Sequence, residues 1–335
     1  MPFFLLVSDG VDIFVQQLVN GLTLGAVYAI VALGYTMVYG IIQLINFAHG
    51  EVVMIGAMVA FTVINSLAAA GMPPLMVVLI GTACAIPVCM LVGYAMERLA
   101  YRPLRHAPRL APLITAIGVS IILQHLAMLV WSRNVMAFPQ IIPLTTYSFA
   151  GATITGVQIV ILGLCFAMMA GLALLVYRTR LGTAMRATAQ NPQVARLMGV
   201  DVNRVIAATF VIGAALGAVA GVMVGTYYGV AQYTMGSALG LKAFAAAVLG
   251  GIGNIPGAMV GGLLLGVVEA LGAGYIGDLT DLCNYGLGPD VNCADGGHFV
   301  LFGSNYQDVF AFVVLILVLV FRPSGLLGER VGDRA

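Results

Sequence analysis

Charge is what this chain has least of. Only 8% of its 335 residues are Asp, Glu, Lys or Arg, against about a quarter in soluble domains, and the net charge is +1. That excludes a solvated globular surface, and it excludes the basic footprint of a nucleic-acid partner. Lysine is scarcer still. Lys242 is the sole one, and it follows Leu241, whereas the lysine of a phosphate-binding loop follows glycine. The chain therefore has no Walker-type ATP site of its own. Five cysteines and four histidines form no cluster with metal-ligand spacing, and no nucleophile sits in a recognisable elbow. Neither catalysis nor a bound cofactor is expected. Basic residues are also missing before the first apolar run, which carries Asp9 and Asp12 instead. This does not fit a cleaved signal peptide, so the first run should stay in the membrane.

What fills the length is apolar sequence: 61% of residues are hydrophobic and the mean hydropathy is +1.05. This composition predicts an all-α polytopic membrane protein built as a single transmembrane domain over 1–335. Runs long enough to span a bilayer lie near 12–33, 48–70, 76–97, 110–131, 158–177, 205–228, 256–276 and 307–321, with a shorter piece near 236–250. The expectation is about 8–10 crossings, with broken or re-entrant segments near 35–50 and 236–256.

The few basic residues are partitioned. Arg98, Arg102, Arg105 and Arg109 share one loop, five arginines lie in 178–204, and Arg322, Arg330 and Arg334 lie in the tail, together 12 of the 14. The positive-inside rule makes their side cytoplasmic. Parity then asks the 236–250 piece to cross, giving about nine crossings with the N-terminus outside and the C-terminus inside. Asp9, Asp12, Asp278, Asp281, Asp290, Asp295 and Asp308 all fall on the opposite face.

Residues 178–204, RTRLGTAMRATAQNPQVARLMGVDVNR, form the one long polar stretch. Asn191 followed by Pro192 suits an N-cap and first helical position, and Gly199 suits a left-handed stop, so a short helix of about two turns is predicted. Ala184, Ala187, Ala195 and Met198 would give these turns a shallow apolar face able to fill a groove on a partner. A solvated loop whose arginines only set topology explains the same pattern.

Glycine recurs every four residues at Gly213, Gly217, Gly221, Gly225 and Gly229, and again at Gly257 with Gly261 and Gly262 with Gly266. Such stripes let helices approach closely. Two segments, 40–58 and 250–266, share an apolar lead and a polar, Gly-containing break holding Asn46 or Asn254. Broken helices at matching points of two halves point to a transport pathway. Asn46, His49 and Glu51 sit together in the first break. Either they line or gate a pore, or they lie at the cytoplasmic interface with Glu51 capping the next helix and His49 partly hydrated. Glu269 is set deeper in its run, and it and Lys242 would face a polar cavity or snorkel to the interface. Gln124 and His125 suit helix-to-helix hydrogen bonds.

Cys84, Cys89 and Cys165 lie in apolar runs and read as packing residues. Cys283 and Cys293 fall in the acidic loop of 277–305 on the outer face, where oxidising conditions favour a disulfide between them.

Four stretches carry a family resemblance: NGLTLGAVYAIVALGYTMVYGIIQLINFAHGEVVMIGA (20–57), ERLAYRPLR (97–105), RVIAATFVIGAALGAVAG (204–221) and KAFAAAVLGGIGNIPGAMVGGLLLG (242–266). Together they resemble the LivH-type permease subunit of bacterial branched-chain amino acid ABC importers, over nearly the whole chain. The resemblance implies an inner-membrane pore made with a second related permease, two separate cytoplasmic ATPase subunits beneath it, and a periplasmic substrate-binding protein. It also makes 178–204 the ATPase-coupling segment, with Gly182, Arg186, Ala187, Asn191, Pro192, Ala195 and Gly199 as its residues, and 277–305 a periplasmic loop longer than usual. Urea-importer permeases share looser versions of the same motifs, and few pathway charges would suit urea as well as apolar amino acids. An ion-coupled transporter or channel would show more embedded acidic residues, and an intramembrane enzyme would need a catalytic constellation.

Overall fold

A computed structural model describes all residues except 1, 69–70, 106, 109, 141–144, 150, 286–299, 303–305 and 329–335. Eleven α-helices follow in order among the described residues: α1 Pro2–Ile42, α2 His49–Ala68, α3 Pro74–Met96, α4 Leu110–Val130, α5 Gly156–Arg178, α6 Arg180–Gln190, α7 Pro192–Leu197, α8 Val202–Tyr228, α9 Met235–Gly250, α10 Ile255–Leu279 and α11 Gln307–Phe321. A π-helical turn, Glu97–Tyr101, continues α3. Four short strands, β1 Met136–Ala137, β2 Thr146–Phe149, β3 Ala152–Thr155 and β4 Val230–Ala231, pair antiparallel as β1 with β4 and β2 with β3. Seven helices are long and apolar enough to cross a bilayer, and α9 and α11 are shorter apolar helices. The chain is an all-α polytopic membrane protein.

Local signals set the helix ends. Thr155 and Gln158 form a reciprocal capping box at the start of α5, Asp201 caps α8 through the N–H groups of Asn203 and Arg204, and α8 stops at Gly229 with φ +67°. The predicted breaks are narrower than expected. α1 runs on to Ile42, so the first break is 43–48, and α9 is continuous to Gly250, so the second is 251–254. The stretch 35–42, expected as part of the break, stays helical because Tyr35, Met37 and Val38 are buried within the bundle.

The helices sort into an inner and an outer set. In α1, 78% of the most apolar stretch is buried within the chain, against 11% in α4. Glycine makes the inner set possible. A Cβ on Gly25 of α1 would lie 2.7 Å from the Leu263 Cα of α10, and one on Gly56 of α2 would lie 2.7 Å from the Ala218 Cα of α8, so these backbones meet without side chains between them. β2 and β3 mark one end of the bundle and α6 and α7 the other. Gln16, near the first end of α1, holds Thr153 of β3, whereas α8 begins directly after α7.

Candidate functional site

Two buried polar clusters lie inside the helix bundle. The first forms where α1 stops and α2 starts. The link is tight enough to force Gln43 to φ +52°, the one non-glycine residue among those described in the left-handed region. Asn46 in this link accepts a hydrogen bond from the Tyr101 hydroxyl at 2.9 Å. Glu51 stands in the first turn of α2, where a carboxylate complements the helix dipole. Its Oε1 accepts from Ser120 Oγ at 3.0 Å and Gln124 Nε2 at 2.7 Å, both on α4. Its Oε2, the His49 Nε2 and the Tyr35 hydroxyl are buried with no hydrogen-bond partner in the protein. The His49 and Tyr35 rings meet edge to face at 5.0 Å.

α9 backs this cluster with glycines. A Cβ on Gly236 would lie 2.6 Å from Glu51 Oε2, and one on Gly240 3.0 Å from the Tyr35 hydroxyl. The expectation that His49 is partly hydrated at an interface is corrected: His49 is 2% exposed and Glu51 0%. The reason is packing. The imidazole lies against Gly34 of α1 and Gly217 of α8, so the start of α2 is inside the bundle and not at its rim.

The second cluster joins α1, α9, α10 and α11. Lys242 Nζ donates to Glu269 Oε1 at 2.6 Å and pairs with Asp308 Oδ1 at 2.7 Å, and the Tyr28 hydroxyl donates to Glu269 Oε2 at 2.9 Å. Lys242 also lies 5.7 Å from the centre of the Tyr28 ring. Glu269 is buried, while Asp308 is half exposed at the head of α11. Lys242 and Glu269, the charges deepest in this cluster, thus each have an opposite partner, the condition for keeping a buried ion pair.

At the far end of the bundle, 178–204 folds as two helices, α6 and α7, where one short helix was expected. Thr179 caps α6 through the Gly182 N–H, a signal that lies one residue beyond the end of α5. Asn191 caps α7 through the N–H groups of Gln193 and Val194 at 3.0 and 3.1 Å, Pro192 opens it, and Gly199 follows with φ +84°. The proposed apolar face is corrected. Ala195 is 3% exposed and packs inward with Ile206 and Phe210, and Ala184 and Ala187 also face the bundle. Of the four expected residues only Met198 is exposed, at 80%, and it is joined by Val194 and by Leu197 at 87%. Arg186 stacks its guanidinium over the Tyr177 ring at 5.6 Å.

The stretches singled out in the sequence touch one another here. Glu97, buried in the π-helical turn, is ion-paired with Arg105, which also donates to Asn203 Oδ1 at 2.7 Å. Burial pulls the Arg105 guanidinium below its ordinary pKa and the Glu97 carboxylate opposes that pull. Tyr101 of the same turn holds Asn46 and packs on Phe210 of α8, with ring centres 5.1 Å apart.

Comparison with known proteins decides the family. The branched-chain amino acid transport system permease component family matches residues 17–319. The chain belongs to this permease family. It is 50% identical to the high-affinity branched-chain amino acid transport system permease protein BraD of Pseudomonas aeruginosa, covering 94% of this chain and 96% of the relative. It is 44% identical, with the same coverage, to the LivH permease protein of Escherichia coli K12. A probable LivH of Methanocaldococcus jannaschii is 27% identical over 89% of this chain and 88% of the relative. No solved structure matches.

In this permease, Asn254 stands apart from both polar clusters. Its side chain caps α10 through the Gly257 N–H and donates to the Leu327 carbonyl at 2.6 Å, tying the C-terminal segment to the second break. Asn254 lines a cavity of about 1000 Å³ with Tyr39, Tyr177 and Arg322, and Gly253 of the second break faces Gly40 in the last turns of α1. Gln124 bonds Glu51 as a helix-to-helix contact, whereas the exposed His125 bonds only the Ile121 carbonyl of its own helix. Cys84 is exposed, while Cys89 and Cys165 are buried. Cys283 sits in a short 3-10 turn and is disulfide-bonded; Cys293, its expected partner, lies outside the described residues, as does most of 277–305. Tyr28, Tyr35, Tyr101, Ser120 and Asp308 were not singled out as site residues from the sequence. Their signal is weak, since tyrosine and serine are ordinary in membrane helices and their partners are distant in sequence, 241 residues for Tyr28 and Glu269.

Proposed function

We propose that this permease forms the pathway for branched-chain amino acids in an ABC importer of the bacterial inner membrane. It works beside a second related permease, with two cytoplasmic ATPase subunits docked at the α6–α7 end and a periplasmic binding protein delivering substrate at the β2–β3 end. Besides family membership, one observation carries the reading. The chain has no ATP-binding lysine loop of its own, yet it presents Val194, Leu197 and Met198 outward on a capped helix that runs through Gly199 into α8. Exposed apolar side chains on a short, well-capped helix suit insertion into a groove of another protein. Their link to a closely packed inner helix suits transmission of a rigid-body movement. Arg178, Arg180, Arg186, Arg196 and Arg204 cluster at this end, which supports a cytoplasmic position. No cofactor is required of this chain, because the chemistry is that of the ATPases.

Reconstitution with its ATPases, second permease and binding protein tests the reading. ATP-dependent accumulation of L-leucine is expected, and no accumulation of urea. ATP-dependent uptake of urea without leucine would replace this function with the alternative one. Labelling of Gln193→Cys by an impermeant thiol reagent added outside intact cells would overturn the orientation.

A further inference from the structure

A second, smaller cavity of about 200 Å³ lies toward the β2–β3 end, where α8 finishes and α9 begins. Tyr28, Val224, Tyr228, Met235, Leu239 and Lys242 line it, and Val230, also on its wall, belongs to β4 paired with β1. With a water filling about 30 Å³, this open-sided space has room for a molecule of the size of valine or leucine.

We infer that this cavity is a subsite for a branched-chain amino acid entering the permease, with Lys242 receiving the substrate carboxylate and an aliphatic wall receiving its side chain. The inference rests on the function proposed above and assigns it a place. Lys242 has three N–H groups. Glu269 and Asp308 engage the ammonium from outside the cavity, and Lys242 itself lines the space, so donor capacity remains on the cavity side. One ammonium set against two carboxylates leaves the cluster one negative charge in excess. An anionic amino acid such as glutamate would deepen that excess. A zwitterion does not, because it adds no net charge. Val224, Val230, Met235 and Leu239 then cover the aliphatic chain, which is favoured by removing apolar surface from water. Urea has no group to use that wall. Methionine in the wall adapts to the differing shapes of leucine, isoleucine and valine.

The test fills the cavity without touching the ion cluster. Ala238 lies on its wall and is exposed, so Ala238→Trp occupies the space while Lys242, Glu269 and Asp308 stay paired. In the reconstituted importer, Ala238→Trp is expected to lower initial L-leucine uptake at least tenfold. Lys242→Met is expected to raise the leucine KM more than it lowers kcat. As a second measurement, Ala238→Cys in a Cys84→Ser background is treated with a thiol reagent, and L-leucine, but neither urea nor L-glutamate, is expected to slow its modification. Parental uptake by Ala238→Trp, or modification of Ala238→Cys that leucine does not slow, overturns the subsite and leaves the permease function standing. Absence of leucine uptake by the parental complex overturns the function and the subsite with it.

Discussion

The two buried polar clusters solve the same problem in opposite ways. Around Lys242 the ammonium is met by carboxylates from two sides: Glu269 and Asp308 hold it and Tyr28 holds Glu269. Around Glu51 there is no cation at hydrogen-bonding distance among the described residues. Neutral donors from Ser120 and Gln124 serve one oxygen, and the other oxygen faces Gly236 unpaired. A compensated cluster resists rearrangement because separating its members exposes charge to a low dielectric. A half-satisfied cluster resists less, because movement offers its orphaned atoms new partners. The Lys242 cluster therefore behaves as a fixed post and a place to bind. The Glu51 cluster, where α2 and α9 close on each other through Gly50, Gly236 and Gly240, is the less constrained of the two.

The sharpest way to break this contrast is to unbalance the fixed post. Glu269→Leu leaves the Lys242 ammonium with one half-exposed partner, and loss of one member of a buried pair costs about 3–5 kcal/mol. Thermal unfolding in detergent should show a large drop for this variant. The double variant Lys242→Met with Glu269→Leu should recover most of it, with a remainder of about 1 kcal/mol from the unpaired Tyr28 hydroxyl. If the double variant is as unstable as the single, charge compensation is not what holds this cluster.

A smaller effect is expected at Glu51. Replacing it with leucine strands the Ser120 hydroxyl and the Gln124 amide, at about 1–3 kcal/mol for each buried group left without a partner, whereas Glu51→Gln keeps an acceptor oxygen and the shape. The glutamine variant should melt within about 1 kcal/mol of the parent. A loss from Glu51→Gln matching that from Glu269→Leu would mean that both clusters depend on charge, and the contrast would fail. The smallest effect belongs outside the bundle. Asn191→Ala removes the α7 cap, at about 1 kcal/mol, and should speed hydrogen exchange of the α7 amides without moving the melting of the inner helices. Faster exchange throughout α8 would show that α7 is not a separable local unit.

How much of this could be read in advance depends on the range of the signal. Helix ends set by neighbouring residues were legible: the Asn191–Pro192 start of α7, the Gly199 stop and the extent of α8 are written in adjacent positions. The glycine stripes of α8 and α10 announced close backbone contact, and α1, α2 and α9 are the helices that fill it. The break near 35–50 is present but shorter, 43–48, because packing of Tyr35 and Val38 inside the bundle keeps 35–42 helical. Ala195 was assigned to the wrong face because α6, which turns α7 toward the bundle, was not foreseen. The site residues were half legible. Rarity singled out Lys242 and Glu269, but nothing local told that Lys242 bonds a carboxylate 27 residues on, or that Glu51 finds its donors 69 and 73 residues away on α4.

The central claim is that movement imposed at α7 by a separate ATPase drives amino acid passage through this permease. The most direct test is to measure L-leucine uptake and ATP hydrolysis together in vesicles holding the complete importer, for the parent and for Leu197→Glu with Met198→Glu. Both side chains are exposed, so the variant should insert and fold as the parent does. The account predicts uptake at background with ATP hydrolysis no longer stimulated by the loaded binding protein. Uptake at the parental rate with normal stimulation would contradict it.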